Sequence, residues 1–482
     1  MNQFLNIFQK LWLPAILFSL PIMLPAQSPV PYQFTLQEAI EKAIDQNLTV
    51  RQGKIQMGIK GIDKSQAQLD RLPTLEGYAG SGINQGRSID PFTNSFVNQR
   101  INFSSYSLNA DWVLFNGFSR QLSVQEQNAA HKASSFDWEQ AKNEVTIQVI
   151  LAYLQVLMAE DMLAQVQVQE KLSQEQVNRL AELDKQGAIP PATLYDLKGQ
   201  LANDQLAISA ARNTLATAEV NFCRLLNIPY QKRLQLQRIE MPPATSAFVQ
   251  SVDSVYHSAL QSFALIKASE QWAQSAKYGY QAERGRLLPT LSLNAGANTN
   301  YSSAARDNKI IGVQDVLSDD YVVVNGNSAS VIKRVNNVEI NKISYYKQLN
   351  NNLYSRVSLN LRIPIFLSFQ QRNRVKKAKL NWENAELIEK TSRTQLQQDI
   401  RQAHINMSTA AERLNTLEEQ VKAYELSYQA AEVRFEEGVG TSIDFLTART
   451  NLDRSKVNLL SAKYEFWLRS KVLDYYKGNV LW

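Results

Sequence analysis

The chain has 482 residues, of which 44% are hydrophobic and 20% are charged, with 51 basic against 45 acidic side chains and a formal net charge of +6. This composition is sufficient to bury a core. No block of lysine and arginine is interleaved with aromatic residues, which argues against a nucleic-acid partner. The single cysteine, Cys223, cannot form an intrachain disulfide, and its helical surroundings favour a packing role over a nucleophilic one.

The N-terminus reads as a targeting segment. Lys10 precedes the apolar run LWLPAILFSLPIML, and the small residue Ala26 follows it. This arrangement predicts a secretory signal peptide over residues 1–26. A membrane anchor is the alternative, but the run has only about 16 apolar residues and contains two prolines, against the ~20 residues that span a bilayer. No second apolar run of this kind follows, so no membrane-spanning helix is expected in the remaining chain.

The remaining sequence repeats itself. The tetrapeptide LPTL occurs at 72–75 and again at 288–291, a shift of 216 residues. Farther along, SLN at 107–109 recurs at 358–360, a shift of 251 residues. Two long copies, rather than many short ones, indicate a duplicated half and not a solenoid.

The two shifts define the domain organisation. The first copy covers 27–226, a proline-containing linker covers 227–250, and the second copy covers 251–482. The growth of the shift from 216 to 251 places an insertion in the second copy at about 302–350.

Each copy shows the same succession of patterns. An opening helix is followed by a strand, a loop, a second strand, a very long helix, a glycine-containing break and a final helix. In the first and second copies respectively, these elements are predicted at 35–71 and 251–286, 74–84 and 290–300, 106–115 and 353–366, 120–186 and 370–436, and 192–226 and 442–476.

The long helices carry coiled-coil spacing. In the second one, eleven apolar or small residues follow each other at alternating intervals of three and four. They are Ile400, Ala403, Met407, Ala410, Leu414, Leu417, Val421, Tyr424, Tyr428, Ala431 and Phe435. A helix of about 67 residues is about 100 Å long, so it must lie along neighbours in a rod or tube. On the helices alone, a fibrous coiled-coil protein is an equal alternative.

The strands favour a membrane barrel. In 290–300 and 353–365 apolar and polar residues alternate, as in outer-membrane strands and also in soluble sheets. The helices have their own seams, which leaves lipid to cover the apolar face of the sheet. Four strands cannot close a barrel, so an obligate oligomer is expected. Asp111, Arg356 and Arg362 fall on the polar face and predict a wet lumen, with the loops 85–105 and 302–350 outside the cell.

The glycine breaks predict helix reversals. Gly187 and Gly438 sit at equivalent places, where each long helix would turn back on itself as an antiparallel hairpin. Pro190-Pro191 and Thr441-Ser442 then begin the returning helices as caps.

The sequence resembles the TolC-like outer-membrane efflux and secretion channels. GVGTSIDFLTARTNLDRSKVNLLSAKYEF at 438–466 is similar to the second-repeat signature of that family, and FTLQEAIEKAIDQNLTV at 34–50 to its opening helix. The resemblance covers essentially all of the chain after the signal peptide. It implies a homotrimer with a shared 12-stranded outer-membrane β-barrel, four strands per chain, continuous with a long antiparallel coiled-coil barrel of helices in the periplasm. It also implies a periplasmic adaptor and an inner-membrane pump of the RND or ABC type as partners, and no cofactor.

The same resemblance implies functional positions near the reversals. Asp444 falls where the family places an acidic ring that narrows the periplasmic mouth, although helix capping explains an acidic residue there equally well. Thr447 occupies the place of a second acidic residue, and Thr193 matches Asp444 in the first copy. The turn residues that would touch the adaptor, or serve only as turn chemistry, are Gly187, Ala188, Gly438, Val439, Gly440 and Thr441.

No catalytic or metal-binding constellation is apparent. His131, His257 and His404 are far apart and match no ligand spacing, and no nucleotide-binding loop occurs. The sequence therefore predicts a passive outer-membrane duct that exports small molecules, rather than an enzyme. Type I protein secretion is the alternative within this class, and a structural periplasmic coiled coil the alternative outside it. The sequence does not separate drugs, metals and polypeptides as cargo.

Overall fold

A computed structural model describes residues 32–89, 94–230, 234–239 and 251–478. The predicted signal peptide lies outside these residues. The chain divides into two compact units, one formed by residues 1–42 with 149–240 and the other by 43–148 with 241–482.

The described elements follow one another in this order. The helices are α1 (Leu36–Gln46), α2 (Leu48–Leu69), α3 (Ser119–Lys185), α4 (Pro191–Leu226), α5 (Val252–Ser262), α6 (Ala264–Gly285), α7 (Tyr345–Asn351), α8 (Gln370–Glu436) and α9 (Ser442–Tyr476). The strands are β1 (Tyr32–Phe34), β2 (Thr74–Asn84), β3 (Arg87–Ile89), β4 (Phe96–Asn98), β5 (Ile101–Asn116), β6 (Leu234–Leu236), β7 (Thr290–Ser302), β8 (Arg306–Val324), β9 (Asn327–Lys342) and β10 (Tyr354–Arg362).

The long helices have the predicted bounds to within one residue. Both α3 and α8 contain 67 residues, and α4 and α9 contain 36 and 35. The opening helices of the two halves also agree in length, with 11 and 22 residues in each pair. Helical propensity and an uninterrupted apolar seam are local properties, which is why the sequence defines these elements well.

Each opening helix was expected to be continuous, and that prediction is wrong. Asn47 separates α1 from α2 in an extended conformation, and its side chain accepts a hydrogen bond from the Thr49 backbone N–H. Phe263 separates α5 from α6, also extended, and its ring stacks on that of Tyr476. The Asn47 side chain caps α2 at the first break, and a buried aromatic contact of Phe263 accompanies the second.

The observed strands begin or end at different residues from the predicted ones. β2 has the predicted bounds, and β5 begins five residues earlier than expected. β10 ends at Arg362, short of the predicted 366, because Pro364 has no N–H to donate to the ladder. The predicted loop 85–105 contains the small pair β3 and β4 as well as the start of β5.

The sheet of the second unit has four antiparallel strands in the order β10-β7-β5-β2. The insertion after β7 forms a long hairpin of β8 and β9, which turns at Asn325-Gly326 with positive φ at both residues. This is the predicted NGN turn, and two left-handed residues are typical of a tight two-residue hairpin.

The first unit is organised around Tyr153 of α3. Its ring packs edge-on against Phe222 of α4, and its hydroxyl lies within hydrogen-bond distance of the backbone oxygens of Phe34 and Gln237. Burial raises the pKa of this hydroxyl to about 12. The contact attaches β1 and β6, which form a parallel pair, to the long helix. Cys223 is buried in α4 nearby.

The second unit buries the predicted seam. Ala403, Met407, Ala410 and Leu414 of α8 pack against α9, where Phe466 is buried among them. Nearer to the start of α8, Leu396 and Ile400 pack against α5 and the beginning of α6.

Among the helices that the structure describes, α3 contains an 18-residue window apolar enough to cross a membrane by composition, with a mean hydropathy of 1.5. The sequence analysis expects no further segment apolar enough to span a membrane after the signal peptide, and for the composition of α3 that expectation is wrong. Apolar residues of this helix such as Val149, Tyr153, Val156 and Leu157 are buried against the protein itself, so protein packing accounts for their character.

The junction between sheet and helices depends on a close backbone approach. Gly117 follows β5 with φ +65°, and a Cβ placed there would lie 2.1 Å from the carbonyl oxygen of Gly285 at the end of α6. No side chain fits in this space, so the two backbones meet where the sheet passes into α3.

We expect Gly117→Ala to destabilise the protein by at least about 3 kcal/mol, because strain at positive φ adds to a backbone clash. Gly199→Ala is the matched control. Gly199 lies inside α4, about two turns from its start, with open space around it, and its replacement should be neutral or stabilising. Thermal unfolding of both variants in detergent measures the difference, and equal melting temperatures would contradict the close approach.

Candidate functional site

The polar face of the sheet aligns hydrophilic side chains across all four strands. The register pairs Thr74 with Asp111, Asp111 with Asn294, and Asn294 with Ser358. Asn294 donates to the Asp111 carboxylate and accepts from the Asn360 amide. Directly opposed residues share a face, so this row is continuous.

The predicted charged residues lie on that same face. Arg356 is opposite Gly296, and Arg362 is opposite Thr290, two positions on the same face of β7 as Asn294. Glu76 lies in the same cross-strand row as Arg356, because Glu76 is opposite Asn109 and Asn109 is opposite Gly296. Glu76 was not selected from the sequence, although the alternation of β2 already placed it on the polar side.

The opposite face of the sheet is apolar, and the described helices cover only its end, where Tyr345 of α7 contacts Tyr106 and Tyr301. The side chains of this face are largely exposed, including Leu75, Leu108, Val357, Leu359 and Leu361, of which Val357 is 73% exposed. Water does not stabilise such a surface, so another apolar medium must cover it.

Both helix reversals have the same backbone geometry. Gly187 and Gly438 adopt φ +68° and +72°. The next residue in each turn, Ala188 or Val439, donates its N–H to the carbonyl oxygen five residues earlier, at 2.9 and 3.0 Å. This is the bond pattern of a glycine C-cap. The predicted turns are therefore confirmed as turns.

The returning helices begin with different caps. Pro190 and Pro191 start α4 without a side-chain cap. Thr441 caps α9, because its hydroxyl oxygen accepts from the Asp444 N–H at 3.1 Å and its hydroxyl donates to the Asp444 carboxylate at 2.8 Å. Asp444 thus has a local role at the helix N-terminus, and its side chain remains exposed.

An aromatic cluster supports the α8–α9 turn from behind. The rings of Phe435 and Phe445 stack with centroids 4.8 Å apart, and Tyr428 packs on Phe445. Burial and the neighbouring Glu432 raise the pKa of Tyr428 above its usual range. Arg449 is buried one turn deeper, with Asp453 at 3.6 Å. The cluster fixes the position from which Asp444 projects.

The acidic residues near the two turns are offset by one helical turn. With the shift of 251, Asp444 matches Thr193, and Thr447 matches Asp196 in α4. Asp196 is exposed, as Asp444 is. Asp196 is not among the predicted site residues, because only Asp444 was matched to its equivalent in the first copy.

No group of three or more His, Cys, Asp or Glu side chains within the described ranges is arranged to hold a metal ion. The site consists of a row of polar side chains on one face of the sheet and two glycine turns. The polar row could line a path for hydrophilic solutes, and the exposed turns could contact another protein.

The family model for the outer membrane efflux protein matches the chain twice, over residues 39–227 and 255–473. The chain is 23% identical over 359 residues to the outer membrane protein TolC of Escherichia coli, a match covering 72% of this chain and 63% of TolC. It therefore spans just under two thirds of the length of that relative. It is 22% identical over 445 residues to the outer membrane efflux protein BepC of Brucella suis, covering 91% and 84%.

Solved structures share the fold. The chain superposes on the outer membrane protein VceC of Vibrio cholerae with a TM-score of 0.72 at 13% identity, covering 93% of this chain and 97% of VceC. The outer membrane channel CmeC of Campylobacter jejuni gives 0.74 at 16% identity, covering 92% and 85%.

We expect Gly438→Ala to loosen the α8–α9 turn by about 1–2 kcal/mol, because an alanine at φ +72° is strained. Exchange of the Val439 and Gly440 amide hydrogens should accelerate by about 5- to 30-fold. Gly438→Asn is the control, since asparagine tolerates this conformation, and it should accelerate exchange less. Equal acceleration in both variants would contradict the backbone explanation.

Proposed function

The chain belongs to the outer membrane efflux protein family, and from this membership we propose that it is the passive duct of a tripartite export machine. The family places the protein in the outer membrane. In the proposal, small molecules enter the helical section in the periplasm, pass through the barrel and leave the cell. A periplasmic adaptor docks on the helix turns, and an inner-membrane pump of the RND or ABC type supplies the energy.

The four-stranded sheet carries the proposal. Its one face is polar and charged, its other face is apolar and exposed, and β2 and β10 are open edges. In lipid every unpaired edge group costs several kcal/mol, so β2 of one copy must pair with β10 of another. The exposed apolar face then meets lipid and the row containing Asp111 faces the lumen.

Barrel size favours three copies. Two copies would supply eight strands, whose interior is filled by side chains. Three copies supply twelve and leave a passage, which agrees with the trimer implied by the resemblance. The shared cylinder would continue into the long helices because α3 and α8 begin within a few residues of β5 and β10.

The tip residues would control entry. Three copies of Asp444 around a common axis would form a negative ring, and Asp196 would add a second one. Capping by Thr441 does not compete with this role, because the carboxylate remains exposed while it accepts the Thr441 hydroxyl. Docking of the adaptor at Gly187, Ala188, Gly438, Val439, Gly440 and Thr441 would separate the turns and open the mouth.

We expect the purified protein to require detergent, to have the mass of three chains and to form pores in planar bilayers. Asp444→Ala should change single-channel conductance or cation preference by at least about twofold, because it removes three charges from a constriction. Glu386→Ala, an exposed acidic residue of α8 far from the turn in sequence, is the control and should behave as wild type.

Two results would separate the parts of the proposal. A water-soluble single chain without pores would refute the duct. A pore whose conductance and selectivity are unaffected by Asp444→Ala would leave the duct in place and reduce Asp444 to a helix cap.

A further inference from the structure

The β8–β9 hairpin is the largest feature that the export duct does not explain. β8 has 19 residues and β9 has 16, and the two strands pair along their length with two bulges. A β-strand of 19 residues is about 60 Å long. An isolated two-stranded ribbon is only marginally stable in water, so a ribbon of this length needs a further surface to pack on.

One face of the hairpin is apolar and exposed. Alternate residues of β9 and their partners on β8 share this face, where Arg334 and Asp315 neutralise each other at 3.1 Å. Six of its side chains are between 55% and 70% exposed: Ile310, Val313, Leu317, Tyr321, Ile332 and Ile340.

The opposite face of the hairpin is more polar toward its base. Lys309 is opposite Glu339, and the Asn337 amide donates to the Gln314 side chain at 3.3 Å. Lys333 is opposite Val316, and Val322, Val324 and Val335 also lie on this face. The face that carries Ile310, Leu317 and Ile332 has more exposed apolar side chains and is therefore the better suited to an apolar partner.

The base of the hairpin is fixed to the sheet. Ser302, the last residue of β7, donates its N–H to the Gln348 side chain, and both residues are buried. Ser303 and Asn102 exchange two hydrogen bonds of 2.9 Å. The hairpin therefore starts from a defined point at the end of the interior strand β7.

Lipid does not explain the apolar face. β7 alone has 13 residues, enough for a tilted strand to cross the ~25 Å apolar band of an outer membrane. β8 begins after that crossing is complete, so the hairpin lies beyond the membrane.

The barrel of the proposed function brings three such hairpins together. Twelve strands spaced ~4.8 Å apart and tilted by ~40° form a cylinder about 25 Å wide. Three bases on its rim are thus closer to one another than the hairpins are long. A second copy of the same hairpin is the apolar partner that the architecture itself supplies.

We propose that the apolar faces of the three β8–β9 hairpins pack against one another above the outer mouth of the barrel. This inference rests on the proposed trimer. It assigns the insertion a role in holding the subunits together outside the membrane, where a continuous β-barrel wall no longer does so.

Cysteine cross-linking of the full-length protein tests the contact. Ile332→Cys places a thiol on the apolar face, and Lys333→Cys places one on the opposite face of the same strand. With a short bismaleimide, the first variant should form covalent dimers at least about five times more efficiently than the second, because only its thiols converge and one thiol per chain can join two chains. The unmodified protein, whose Cys223 is buried, measures the background.

A second pair of variants reports on stability. Leu317→Lys combined with Ile332→Glu keeps a favourable cross-strand pair but removes the apolar contact, and should speed dissociation of the trimer at least about fivefold. Val316→Glu faces Lys333 on the other side of the hairpin and should dissociate like the wild type.

The outcomes are distinguishable. A trimer in which both cysteines cross-link equally, or in which Ile332→Cys links only to a different polypeptide, would overturn the hairpin contact and leave the duct intact. A protein that is not trimeric in detergent would refute the proposed function, and the hairpin contact with it.

Discussion

Backbone hydrogen bonding at the edges of one sheet is the constraint on which the rest of the structure depends. Four strands present an apolar face that is largely exposed, together with open edges at β2 and β10. In the proposed duct lipid covers the apolar face, and lipid cannot satisfy the backbone groups of the edges. Under that proposal membrane insertion requires assembly, because a chain that enters the bilayer must pair its edges with those of another copy.

Much of the fold could be predicted because it is encoded locally. The seam of α8, the glycines at 187 and 438 and the alternation in β7 all act within one element, and the structure places their residues as expected. The breaks at Asn47 and Phe263 were missed because propensity does not distinguish a single extended residue within a long helical pattern. The early end of β10 was missed although Pro364 marked it, since the apolar alternation continued beyond it.

The candidate site was less predictable, for a physical reason. Which residues share a face follows from alternation, so the polar row with Asp111, Arg356 and Arg362 could be anticipated. Whether Asp444 serves a pore depends on distances between copies of the chain, which no single-chain pattern contains. Its bond with Thr441 is local and needs no second copy. Asp196 would have been found by comparing each acidic position near the turns between the two halves.

The packed seam of α8 limits where this protein can change. One residue inserted into a helix rotates everything beyond it by about 100° and shifts it by about 1.5 Å. In α8 that error would turn seam residues such as Met407 and Leu414 away from α9, so insertions and deletions there should be rare. The connection between β7 and β10 is under no such restriction, and it has absorbed the 35-residue difference between the two halves. Length changes in relatives, and an engineered tag or epitope, should therefore be tolerated best at the Asn325-Gly326 turn, at the end of the β8–β9 hairpin.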